Sequence, residues 1–71
     1  MKMDIVIKDE FIKLGQALKL AGLVENGGAA KEVINEGLVK VNGETDLRRG
    51  RKCGPGDVID FNGKQVKITC L

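Results

Sequence analysis

The hydrophobic pattern changes period at Gly37, and that change leaves few architectures open. Before it, Leu14, Ala17, Leu18 and Ala21 recur at i, i+3, i+4 and i+7, and Ala30, Val33 and Ile34 repeat the pattern, so each set forms one face of a helix. Gly22 and Gly37 stand where left-handed caps end helices, and Asn26 is a good N-cap for the second one. After Gly37, Val39 with Val41 and Val66 with Ile68 alternate with polar residues around Asn42-Gly43 and Asn62-Gly63, dipeptides that suit two-residue hairpins. Gly54-Pro55-Gly56-Asp57 has the central Pro and Gly of a type II turn. With a β-rich segment over residues 3–7, the order is strand, helix, helix, then several short strands. That order predicts an α+β domain, with two short helices packed on a small antiparallel sheet. No linker or repeat divides the chain, so residues 1–71 read as a single domain.

Size and composition exclude much chemistry. A chain of 71 residues buries only about 60% of its unfolded surface and has no room for a deep cavity. It contains no His and no Ser, which removes serine triads and histidine bases. Two Cys residues are too few for a zinc site, so no metal and no cofactor are expected. Cys53 beside Lys52 has the setting of a lowered thiol pKa, a weak signal without a neighbouring base. Asp57 and Asp60 are three apart and point to opposite faces of a strand, so they do not pair as acid and base. The chain is not expected to be an enzyme. The N-terminal ten residues alternate charge with apolar positions and lack the apolar run of a secretory signal or membrane span, so a cytoplasmic, membrane-free location and reduced thiols are expected.

Charge is uneven although the net is only +2. Residues 1 to 47 hold six bases and eight acids, whereas residues 48 to 71 hold six bases and two acids. The excess centres on Arg48, Arg49, Arg51 and Lys52, and no acid lies among positions 48 to 52 to compensate them. Guanidinium groups bind phosphate bidentately, so this cluster is the first candidate for an anionic partner. The second is the start of the second helix, where Asn26, Gly27 and Gly28 leave amides of Gly27, Gly28 and Ala29 open at the positive end of the helix dipole, with Lys31 one turn in. Lys13 and Lys19 flank the stripe of the first helix and join the candidates if the fold brings them near. Phe11 and Phe61 are the only aromatic residues, which disfavours modules that stack successive bases and favours a grip on phosphate and shape.

From Lys13 to Phe61 the chain resembles the S4-type RNA-binding domain, named after ribosomal small-subunit protein four and built on an αL motif. The residues that carry the resemblance are "KLGQALKLAGL", "NGGAAKEVINEGLVKVNG" and "RRGRKCGPGDVI". Within that family it resembles the small stand-alone bacterial kind represented by YaaA and YbcJ, which share Gly-Gly-x-Ala-Lys and an Arg-rich segment before the last hairpin. Lys13 stands where the family usually has Arg, Gly15 where Asp is common, and Asn26-Gly27 where many members have Ser-Arg. The resemblance implies that the helices and the arginine segment form one face, where Lys13, Lys31 and the arginines converge on RNA. The expected function is non-enzymatic binding of structured RNA, with ribosomal RNA, a ribosomal particle or an assembly intermediate as partner and the protein acting as a monomer. The alternative is a regulatory module whose basic face docks on an acidic protein.

Overall fold

The computed structural model describes residues 2–70. Strand β1 (Lys2–Ile7) leads into a two-residue strand β2 (Ile12–Lys13) and, without a break, helix α1 (Leu14–Leu20); helix α2 (Gly27–Asn35) follows. The second half supplies β3 (Val39–Val41), β4 (Glu44–Thr45), β5 (Lys52–Cys53), β6 (Val58–Phe61) and β7 (Lys64–Cys70). Five strands form one sheet in the order β1-β7-β6-β3-β4, and β2 with β5 forms a separate ribbon.

The α+β arrangement of two helices on one small sheet is the expected one, but the sheet is mixed. The later strands pair antiparallel, as their Asn-Gly hairpins require, whereas β1 runs parallel to β7. The reason is connectivity: both helices lie between β1 and the hairpins, and a crossover of that length can return the chain in either direction. The β2–β5 ribbon joins residues 12–13 to 52–53, a pairing too short to leave an alternation in the sequence.

Both helices are short and gain their stability from packing more than from propensity. Each ends in the same way. Leu23 N–H donates to Leu18 C=O and Gly22 N–H to Lys19 C=O, and the pattern repeats from Leu38 to Val33 and from Gly37 to Ile34. These are Schellman caps, and Gly22 and Gly37 occupy their left-handed position at φ 76° and 77°. The apolar stripes bury Leu14, Ala17, Leu18, Ala30 and Ile34 against Ile5, Ile7, Val39, Val41, Ile59, Val66 and Ile68 from one face of the sheet. Among the described residues, no helix is long and apolar enough to cross a membrane.

Candidate nucleic-acid interface

The arginine segment does not stand uncompensated. Asp46, two residues before it, is only 9% exposed and turns its carboxylate into the loop. Its Oδ1 accepts from the backbone N–H of Arg48 at 2.9 Å and from Arg48 Nε at 3.1 Å. Its Oδ2 accepts from Arg48 Nη2 at 3.0 Å and from Arg51 Nε at 2.8 Å. Charge-assisted bonds of this kind are the strong ones, and they satisfy a carboxylate that burial would otherwise penalise. The Arg48 hydrogen bond holds the Asp46 carboxyl below its ordinary pKa and raises that of the Arg48 guanidinium. Two of the four clustered cations are therefore braced by an acid that the sequence boundary at 48 left out.

The other two cations have different settings. Arg49 runs along α1 over Gly15, so close that a Cβ on Gly15 would lie 2.7 Å from Arg49 Cγ. The backbone is tied at the same place: Leu14 N–H donates to Arg51 C=O at 2.8 Å and Gly15 N–H to Arg49 C=O at 3.1 Å. These bonds replace a side-chain cap, which Lys13 does not provide. Lys52 sits in β5 directly opposite Lys13 in β2, and its Nζ lies 4.8 Å from the centre of the Phe11 ring. Like charges in register destabilise a ribbon, and neither lysine has an ion pair among the described residues.

Arg49, Lys13 and Lys19 converge on an open hollow of about 370 Å³, with Gln16, Gly50 and Gly27 on its walls. The first turn of α2 thus faces the same space as the cations of α1 and the loop. Of its amides, that of Ala29 is consumed by the cap, donating to Asn26 Oδ1 at 2.8 Å. The amides of Gly27 and Gly28 are the ones the helix ladder leaves over. Asn26 thereby acts as the cap, Gly28 lies 3.3 Å from the cap oxygen at its Cβ position, and Lys31 is exposed on α2 without lining the hollow. Arg48, Arg51 and Lys52 line an adjoining shallow surface around Gly50. Sequence reasoning missed Asp46, Gly15, Gln16 and Phe11 as parts of this face. An Asp two residues before an Arg, and a glycine inside a helical stripe, were the available signals.

Asn42 and Asp57 brace the fold away from this face. Asp57 accepts from Asn42 Nδ2 at 2.9 Å and from Gly54 N–H at 2.8 Å, while Asn42 Oδ1 accepts from Val58 N–H at 2.9 Å. This knot joins the type II turn, closed by Asp57 N–H to Gly54 C=O at 3.0 Å, to the Asn42-Gly43 hairpin. The Asn42 bond also lowers the Asp57 pKa. The Cys53 thiol is fully buried, and burial pushes its pKa up, opposite to the lowering that a neighbouring lysine suggests in sequence. Among the described residues, no three His, Cys, Asp or Glu side chains are grouped to hold a metal.

A two-layer fold with this junction of helix pair and basic loop matches the family model described as "S4 domain" over residues 5–69, beyond the 13–61 span that the motifs cover. The chain belongs to the S4 domain family. It is 49% identical over 63 residues to a Bacillus subtilis (strain 168) protein named "Probable ribosome maturation protein RlbA", covering 89% of both chains. It is 38% identical over 62 residues to YbcJ of Escherichia coli (strain K12), covering 87% of this chain and 89% of that one. The solution structure of E. coli YbcJ, described as having an αL motif involved in RNA-binding, superposes with a TM-score of 0.69 at 34% identity, over 96% of this chain and 85% of YbcJ. The crystal structure of 30S ribosomal protein S4e from Thermoplasma acidophilum has a TM-score of 0.68 at 30% identity; the match covers 82% of this chain but spans only 31% of S4e.

Proposed function

We propose that this chain binds structured RNA, either ribosomal RNA or a ribosome assembly intermediate, through phosphate contacts and without catalysing a reaction. The observation that carries the reading is the convergence of Lys13, Lys19 and Arg49 with the first turn of α2 on one open hollow. Three cations, from β2, α1 and the arginine loop, and a helix N-terminus form a local field for successive phosphates, with no acid among the lining residues. Arg48 keeps donors beyond those given to Asp46, and Lys52 lies at the edge of the same surface. The RNA-binding description of YbcJ and the ribosome-maturation name of the B. subtilis relative support the choice of polymer.

The test is a fluorescence anisotropy titration of ribosomal RNA fragments and matched duplex DNA at several salt concentrations. Neutralising about four phosphates gives a slope of about −3 to −4 in log affinity against log salt. A variant carrying Lys13→Gln, Lys19→Gln and Arg49→Gln is expected to lose affinity for every RNA tested and to flatten the slope by about 2 to 3. None of these three side chains donates to the buried Asp46 carboxylate, which Arg48 and Arg51 hold, so the fold should survive. A salt response that is flat, or affinity that the variant keeps, overturns the proposal.

A further inference from the structure

Beside the basic hollow lies a second one of about 700 Å³, bounded by the end of β1, the turn before β2, and α1. Its apolar part is formed by Val6, Phe11 and Leu20, which are 55%, 39% and 60% exposed. Phe11 is the aromatic residue open to solvent here, and the ammonium of Lys52 rests over its ring. Lys13 and Gln16 line both hollows, so the apolar one is a direct continuation of the basic one.

We propose that the hollow at Phe11 takes an unpaired nucleobase of the bound RNA, stacked on the Phe11 ring, with its phosphates held by Lys13 and Lys52. This rests on the RNA reading and adds to it a feature that phosphate contacts alone do not provide, a preference for an RNA with an extruded or overhanging nucleotide. Lys8, Asp9 and Glu10 also line the hollow, so its charge is balanced as a whole, and the anionic edge of a ligand is directed to the ribbon side. There the like-charged pair Lys13 and Lys52, in register and without an ion pair among the described residues, flanks the ring, which suits a ligand that is flat, apolar on its faces and anionic along one edge. A nucleotide has that form. The base replaces the ammonium on the ring, and the displaced Lys52 remains one strand away from Lys13, where both neutralise the nucleotide's phosphates. Val6 and Leu20 complete the apolar contact from the strand and helix sides.

The experiment compares two RNA hairpins with the same stem, one blunt and one ending in a single unpaired adenosine, against the full chain and its Phe11→Leu and Phe11→Trp variants. The expected result is on the order of tenfold tighter binding of the overhanging hairpin by the wild type. Phe11→Leu binds the two hairpins with equal affinity. Phe11→Trp restores the difference, and its tryptophan, in a chain with no other, is quenched by the overhanging hairpin alone. Phe11 lies outside the buried core, so both variants keep the wild-type unfolding transition. If the wild type binds both hairpins equally, or Phe11→Leu keeps the preference, the RNA reading stands and the stacking site is overturned, which leaves the hollow to an apolar peptide segment. If the wild type binds neither hairpin, the RNA reading falls and the stacking site with it.

Discussion

Asp46 is the residue whose role the linear charge pattern conceals most. By simple electrostatics it opposes an anionic ligand, yet it fixes the guanidinium groups of Arg48 and Arg51 at the surface. The two effects predict opposite signs for one substitution. If positioning dominates, Asp46→Asn lowers RNA affinity several-fold despite raising the net charge by one, as an anisotropy titration at fixed salt would read; tighter binding would mean that the carboxylate only repels. The same residue sets an acid limit on stability. Its folded pKa lies below the ordinary value of 3.8, so its stabilisation is complete above that value and is lost as pH falls through the folded pKa. Urea unfolding midpoints measured between about pH 6 and pH 2 should decline in the wild type and decline less in Asp46→Asn, with the variant weaker by about 1–3 kcal/mol at neutral pH. Asp57, also lowered, adds to the decline in both proteins.

At the scale of elements, the junction between α1 and the arginine loop positions the candidate site. The helix has no side-chain cap, and the loop carbonyls of Arg49 and Arg51 take its first amides, so the start of the helix and the course of the loop depend on each other. Gly15 lets Arg49 cross the helix at this point. Gly15→Ala should therefore separate stability from binding. Alanine gains about 1 kcal/mol of helix propensity, which offsets part of the cost of moving Arg49, so the thermal midpoint should stay close to that of the wild type. RNA affinity should fall because the Arg49 side chain is pushed off its path. An unchanged affinity in the same titration would remove Arg49 from the interface.

For the whole molecule, the margin is narrow. For a chain of 71 residues the expected stability is about 4–10 kcal/mol, and the core is one thin layer between two helices and one face of a sheet. Ile34 is fully buried there, and Ile34→Ala should cost about 2–5 kcal/mol, enough to remove much of the folded population in a circular dichroism melt. Surface changes at Lys13, Lys19 or Arg49 should leave that melt unaltered. The basic face is thus separable from the core, although both draw on the same short α1.

Local patterns in the sequence determined both helices, their glycine caps, the Asn26 cap and the two Asn-Gly hairpins, because each depends on residues within a few positions of one another. The cationic candidates were legible in the same way, as residue types along the chain. Tertiary structure alone decided that β1 pairs parallel with β7, since nothing local chooses between the two edges and directions open to a first strand. It also decided which cations work together. Lys13 meets Lys52, Arg49 crosses Gly15, and Asp46 claims Arg48 and Arg51, through contacts set by the return of the loop onto α1 and by the two-residue β2–β5 ribbon. Charge acts through distance in space, and in a chain this short the folding of one loop is enough to turn a run of like charges into two braced arginines and one converging set.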